Sequence, residues 1–288
     1  MILPKVSIIV PTYNRAHMVT ETIDSILAQT FKDFELIVVD NESADNTEEV
    51  IKSYPDQRIR YFKHQNNGVV AVNRNYGIGK AQGQYIAFCD DDDLWLPEKL
   101  ERQVELLDSN DELGLVYADS YLIDSNGDLR ENTYFYGRKP VRGTDFSELF
   151  QDNSIPLLTA IVRREVLDKV GVFNPRYIVS QDYDLWLRIA KYHPVDFIEQ
   201  PLAKYRIHSE GFFQKNSVLA YRENLQIMDY WLNRNSDLKK ELGGNIRRRK
   251  ALLRRAGFLS AISHVYRDKN MKSIREFGNF IKYLLLSG

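Results

Sequence analysis

The chain has one cysteine, Cys89, in 288 residues. No intrachain disulfide can form, which suits a reducing compartment. No apolar run approaches the roughly 20 residues needed to cross a bilayer. No charged leader with an apolar stretch precedes "ILPKVSIIV", so the expectation is a cytoplasmic protein. A charge excess is missing as well: 39 Lys and Arg stand against 40 Asp and Glu. That balance excludes the global basic signature of a nucleic-acid binder. "PTYNRAHM", after the first apolar run, has no glycine, which argues against the Gly-rich phosphate loop expected of a sugar nucleotidyltransferase. What the chain does have is 43% hydrophobic and 12% aromatic residues, enough for one large domain or a domain with an appendage.

Charge is unevenly placed. From Arg247 onward there are 11 basic and 2 acidic residues, and the rest of the chain is net acidic. Such asymmetry points to an anionic partner for the tail.

Apolar runs and helical periodicities alternate along the first hundred residues. "KVSIIVPTYNR" predicts a buried strand from Val6 to Val10, stopped by Pro11. Ala16 to Gln29 carries Met18, Ile23, Ile26 and Leu27 at helical spacing. "FELIVVD" is the next buried strand, "IRYFKH" a short one, and "AVNRNYGIGKAQG" a helix closing at Gly83. Strands alternating with helices predict an open α/β sheet. Ligands bind such sheets beyond the strand carboxyl ends, where Pro11 to Arg15, Asp40 to Ser43 and Asp90 to Asp93 all fall. Further on, "SQDYDLWLRIAKYH" reads as an amphipathic helix with Leu185, Trp186 and Ile189 inward. "LAKYRIHSEG" extends into a loop, and from about Ser217 the pattern is helical, broken at Gly243 and Gly244. These patterns divide the chain into an α/β domain over 1-215 and a basic helical appendage over 216-288.

"QYIAFCDDDDLWLPEKL" poses the chemical question. An apolar run from Tyr85 to Cys89 ends in Asp90, Asp91, Asp92 and Asp93. Carboxylates that close repel and raise one another's pKa, so a positive partner is required. Hard divalent cations prefer oxygen ligands and commonly take one or two carboxylates plus substrate phosphates, which fits Asp90-x-Asp92. The plain alternative is a solvated acidic turn.

Four stretches then fall into a known order: "VSIIVPTYNR", "TIDSILAQTFKDFELIVVDNESADNT", "NGVVAVNRNYGIGKAQGQYIAFCDDDDLW" and "SQDYDLWLRI", from about residue 5 to 210. Together they resemble a family 2 glycosyltransferase with the GT-A fold. The resemblance implies a Rossmann-like GT-A fold, with a mixed, mostly parallel sheet flanked by helices. It implies a nucleotide-sugar donor, most simply a UDP-sugar, a saccharide or lipid-linked saccharide acceptor, and Mn²⁺ or Mg²⁺ as cofactor. By the same resemblance Pro11, Thr12 and Tyr13 grip the nucleotide and Asp40 meets the base. Arg74 lies near the diphosphate, and Asp90 and Asp91 reach ribose or sugar. Asp92 contacts the metal with His208 completing that site, and Asp182 is the catalytic base.

Each role has a plainer counterpart. Asp182 in "SQD" suits a helix N-cap, His208 an ordinary loop histidine, and Tyr13 a core side chain. Arg15 is expected to pair with a phosphate or, more simply, with a surface acid, and Asp184 to be an acid at the surface or one step removed from the chemistry. The sequence departs from the family pattern at Asn41 and Glu42, where an acid and a glycine are usual, and at Gln181, where an acid often precedes the base. In the tail, Arg247, Arg248, Arg249, Lys250, Arg254 and Arg255 cluster around Leu252, Leu253, Phe258 and Leu259. That composition suits a helix lying on an anionic membrane, on its inner face, each cation adding ~1 kcal/mol, or a helix packed on its own core. A catalytically inactive sugar-nucleotide-binding module is the rival to an enzyme.

Overall fold

The computed structural model describes residues 3–208, 211–268 and 271–286. At its centre lie β1 (Val6–Thr12) and β2 (Phe34–Asp40), buried at every position. Continuous Val/Ile/Leu runs are what strands covered on both faces require. Helix α1 (Ala16–Leu27) links them and buries Val19, Ile23 and Ile26 along one stripe. α2 (Thr47–Lys52), β3 (Ile59–Lys63), α3 (Val70–Lys80) and β4 (Tyr85–Phe88) follow. The first four strands form an all-parallel half in the order β3-β2-β1-β4.

The second half is mixed. It comprises β5 (Leu94–Trp95), α4 (Lys99–Ser109), β6 (Leu115–Ile123), β7 (Leu129–Thr133), α5 (Phe146–Gln151), β8 (Ile161–Arg163), α6 (Arg164–Val170), α7 (Gln181–Ala190) and β9 (Val195–Arg206). The sheet continues from β4 through β8, β6 and β9 to β5, with β7 beside β6. β8 runs antiparallel to β4 and β6, while β9 runs parallel to β6. The long ladders are the parallel ones, so the expected mixed, mostly parallel sheet between helices is what the chain forms.

Two local expectations change. β1 does not stop at Val10: Pro11 pairs with Val39 and Thr12 with Asp40. The reason lies in which way the backbone faces. Ile9 O accepts from Cys89 N on the β4 side, and Thr12 O accepts from Asn41 N on the β2 side. Alternation turns Pro11 toward β4, beyond its last registered residue, Phe88, where a missing N–H costs nothing. Likewise, "LAKYR" is no loop but the end of the twelve-residue strand β9.

The chain closes with α8 (Phe212–Arg234), α9 (Ser236–Asp268) and α10 (Met271–Leu286). α9 bends at Gly243, whose φ of 33° and ψ of −110° leave the helical region. One apolar core contains Leu225, Met228, Trp231, Leu238 and Leu253 of these helices together with Phe150 of α5 and Trp186 of α7. Burying each such side chain is worth about 1.5–3 kcal/mol, so the appendage is fastened to the sheet domain. α9 and α10 meet closely at Gly257, where an added Cβ would fall 2.3 Å from Phe280.

A candidate active-site cleft at the strand ends

The carboxyl ends of β1, β2 and β4 open into a cleft of about 1310 Å³, walled on the far side by α7, α8 and α9. Three non-glycine residues with positive φ, Asn14, Glu42 and Asn67, sit in loops at this edge. Asn14 is held there by two bonds: its N–H donates to Ser43 Oγ at 2.8 Å, and its Oδ1 accepts from Ala44 N at 2.7 Å. These tie the tips of β1 and β2 together. Glu42, at φ 57°, occupies a backbone conformation that glycine would adopt freely.

The four aspartates are each partnered. Asp90 pairs with Arg74 on α3. Asp91 accepts from Thr12 Oγ1 at 2.8 Å and from Arg15 Nη1 at 2.8 Å. The same guanidinium nitrogen reaches Asp92 Oδ2 at 2.7 Å, and His208 Nε2 lies 3.0 Å from that oxygen. Asp93, almost wholly buried, accepts from Arg206 N at 2.9 Å. The positive counterparts of this cluster are therefore two arginines, Arg15 and Arg74, with His208 hydrogen-bonded beside them. Arg15 was expected at a surface acid; the fold instead turns it inward beside Asp91 and Asp92.

Electrostatics separate these acids. Burial pushes Asp91 up to about 6 against the pull of Arg15. Burial acts on Asp92 in the same direction, but the bond from His208 and the charge of Arg15 hold it below the ordinary carboxylate range. Burial and its acidic neighbours push Asp93 well up. The Cys89 thiol is fully buried and also pushed up, chiefly by burial, as a small core hydrophobe would be.

The remaining donor-side residues divide. Pro11, Thr12 and Tyr13 line the cleft, and Tyr13 is 53% exposed rather than core. Asp40 is fully buried. Its carboxylate accepts from Ser43 N at 2.9 Å, Ser43 Oγ at 2.6 Å and Tyr61 OH at 2.5 Å. Asn41, not Asp40, stands among the cleft-lining residues, and its Oδ1 receives Asn66 N at 2.8 Å.

Across the cleft, α7 has Ser180 as its N-cap, with no side-chain cap bond. Asp182 is thus a first-turn residue and not the cap. Its Oδ1 accepts from Tyr183 N at 2.7 Å and from Asn153 Nδ2 at 3.3 Å. Burial pushes this carboxyl up to about 6; the Tyr183 N–H and the Arg74 charge pull it back, and Asp90 adds to the rise. Asp184, also buried, is bound to Arg188 Nε at 3.0 Å within the helix. A carboxyl in this range, facing the same space as a cation-bound acid cluster, can exchange a proton near neutral pH.

Asp92 and His208 both line the cleft, with His208 Nε2 3.0 Å from Asp92 Oδ2. They converge on one point of the cleft and offer one carboxylate oxygen and one imidazole nitrogen, donors that suit Mn²⁺ or Mg²⁺. Among the described residues no group of three His, Cys, Asp or Glu forms a cage. A cation taking these two donors would leave its remaining positions to water and phosphate oxygens. Sequence reasoning passed over Asn153 and Arg206. Arg206, two residues before His208, donates to Asp92 O at 2.8 Å and to Glu21 at 2.6 Å. No spacing rule marks Asn153, which reaches Asp182 from a loop.

The sequence profile described as Glycosyl transferase family 2 matches residues 7–171. An uncharacterized glycosyltransferase of Rickettsia felis is 37% identical over 224 residues, covering 74% of this chain and 36% of that protein. The chain spans about a third of the length of the first Rickettsia relatives it matches. In Escherichia coli, the UDP-Glc:alpha-D-GlcNAc-diphosphoundecaprenol beta-1,3-glucosyltransferase WfgD is 31% identical over 204 residues, covering 70% of this chain and 77% of that protein. Among solved structures, the mannosyltransferase PcManGT from Pyrobaculum calidifontis, in complex with GDP-Man and Mn²⁺, superposes at a TM-score of 0.63 with 18% identity, over 99% of this chain and 81% of that one. That likeness speaks to the fold. By the span of the profile and the shared sequence, the chain belongs to glycosyl transferase family 2.

Proposed function

We propose that the cleft moves a sugar from a UDP-sugar to a hydroxyl of a saccharide or lipid-linked saccharide, with inversion at the anomeric carbon and with Mn²⁺ or Mg²⁺ as cofactor. The observation that carries this reading is the pairing of two unlike groups in one cleft. Asp182, its carboxyl pushed up to about 6, faces the space that also meets Arg15, Arg74, Asp92 and His208.

In this reading Pro11, Thr12 and Tyr13 hold the nucleotide, with Tyr13 offering its exposed ring. Asp40 acts from behind: by fixing Ser43 and Tyr61 it shapes the floor on which the base rests. Arg74 turns its charge toward the diphosphate, where charge-assisted hydrogen bonds are strongest, and Asp90 and Asp91 face ribose and sugar. Asp92 and His208 would hold a divalent cation, which would supply Lewis-acid neutralisation of charge on the departing diphosphate. Asp182 takes the proton of the acceptor hydroxyl as that oxygen bonds to the anomeric carbon. The bond from that carbon to the phosphate oxygen breaks, and the electron pair leaves with UDP. Attack from the face opposite the leaving group inverts the centre, by analogy with inverting glycoside hydrolysis.

The lipid side of the reading draws on α9. Exposed Arg248, Leu252, Arg255 and Leu259 recur at i, i+4, i+7 and i+11, one helical face of alternating cation and apolar groups. Leu252 also lines the cleft. Arg249 and Lys250, by contrast, are engaged by Asp152 and Asp229. A stripe of this kind suits an anionic membrane surface, from which a lipid-linked acceptor reaches the cleft directly.

The deciding experiment offers the protein a panel of UDP-sugars with Mn²⁺ and a diphosphate-lipid-linked saccharide, then reads the anomeric configuration of the product by NMR. A β-linked product from an α-linked donor, lost on EDTA treatment, is expected. Retention, or transfer undiminished by EDTA, would refute the mechanism; binding without turnover would favour an inactive module.

A further inference from the structure

The segment that carries Asp182 is not held by its own helix cap but by a residue 41 positions downstream, on α8. Glu223 is 3% exposed. Its Oε1 accepts from Ile178 N at 2.8 Å, and its Oε2 from Val179 N and Ser180 N, each at 2.9 Å. Three consecutive backbone donors thus converge on one carboxylate, directly before α7. Ser180 Oγ adds a bond to Ala220 O, one turn earlier on α8, at 3.3 Å. Ala220, Tyr221 and Asn224, flanking Glu223, line the cleft beside Asp182. A buried carboxylate is retained only where its lone pairs are used, and here three of them are.

We infer that Glu223 is a positioning residue for the transfer reaction. By gripping the N–H groups of residues 178 to 180 it fixes the start of α7, and with it the aim of Asp182, so the C-terminal helices are part of the active site. The inference rests on the reading of Asp182 as the base. Glutamine keeps the reach of Glu223 but loses its charge and one accepting oxygen; aspartate keeps the charge but loses the reach. Misplacement of a catalytic group by about 1 Å can cost on the order of a hundredfold. The neighbours of Asp182 itself, Arg74, Asp90, Asn153 and the Tyr183 N–H, are untouched by either change.

The test compares wild type, Asp182→Asn, Glu223→Gln and Glu223→Asp in the full chain, by UDP binding with Mn²⁺, by kcat, and by the pH dependence of kcat/KM. For both Glu223 variants the expectation is UDP affinity within about twofold and kcat down about ten- to a hundredfold. The acidic limb of kcat/KM should move to lower pH as the loosened Asp182 gains water. Wild-type kcat and an unmoved limb in both variants would overturn the inference, as would UDP affinity falling in step with kcat, which marks general loss of structure. If one variant does not fold, the other decides on the same readings. Activity in Asp182→Asn would instead overturn the reading of the base, a result independent of the Glu223 variants.

Discussion

The two walls of the cleft are made of opposite materials. The donor wall, at the ends of β1 and β4, is a closed set of charges: Arg15 and Arg74 against Asp90, Asp91 and Asp92, with His208 beside them. The opposite wall, from α7, α8, α9 and the loop carrying Asn153, sets amides and apolar groups around Asp182, among them Asn153, Ala220, Asn224, Leu252 and Leu253, with Lys215 and the Arg249–Asp152 pair also lining it. The contrast follows from what each wall handles. A departing diphosphate needs fixed positive charge, aimed before the bond breaks. A base needs the reverse: a strong cation in contact would make it too weak to accept a proton near neutral pH. Arg74 does lower Asp182, but burial outweighs it.

Substitutions can break this comparison, and the largest effect is expected at Asp182. Asp182→Asn should reduce turnover by ~10²–10⁴-fold while UDP binding with Mn²⁺ stays intact by calorimetry. In the wild type, the ionised carboxylate is the working form, so activity should climb as pH rises through about 6. The same shift has a stability sign. A carboxyl whose folded pKa lies above its unfolded value costs stability as pH rises from about 4 to 6. Asp182→Asn should therefore also melt higher at pH 7, by up to about 3 kcal/mol at 1.36 kcal/mol per pKa unit.

Asp92→Asn addresses the other wall. It should weaken Mn²⁺-dependent UDP binding by about 10–100-fold and leave the acidic limb set by Asp182 in place. Equal loss of both readings would mean the walls are not separable.

A smaller effect is expected behind the donor wall, where charge is unwelcome. Lys99 is fully buried, its Nζ 2.7 Å from Gln103 Oε1 and 3.8 Å from the centre of the Trp95 ring. Burial pushes it down to about 7. Between about pH 7 and 10.5 the unfolded chain binds more protons than the folded one, so stability rises with pH in that window. Lys99→Met should stabilise the fold by about 2 kcal/mol at pH 7, after the lost bond to Gln103 is discounted, with the gain fading toward pH 10. The smallest effect is at the rim: Glu42→Gly should add about 1 kcal/mol in chemical denaturation by relieving a left-handed backbone.

Much of the donor wall was legible in the chain. β1, β2 and β4 are unbroken apolar runs that end in polar residues, and open α/β sheets collect such ends at one edge. Pro11, Thr12, Tyr13, Arg74, Asp90 and Asp91 were expected at this edge that way, with help from the family pattern, and they line the cleft; Asp182 stands out in the first turn of an amphipathic helix. The surface-acid reading of Arg15 failed because the partner of a long cation depends on where the chain turns after β1. The carboxylate of Asp40 is taken up by Ser43, three residues on, and by Tyr61 of β3, and that second partner is not readable from the local sequence.

The sequence alone determined the strands, the helices between them and the acids at their tips, because apolar periodicity and chain breaks are local properties read within a few residues. It also determined that the tail would be helical and basic. Tertiary structure alone decided which of those charges meet: Arg15 with Asp91 and Asp92, His208 with Asp92 across 116 residues, and Glu223 with the segment before Asp182. Such pairings depend on the desolvation of groups far apart in the chain. Their energies exist only once the sheet and the C-terminal helices have packed together.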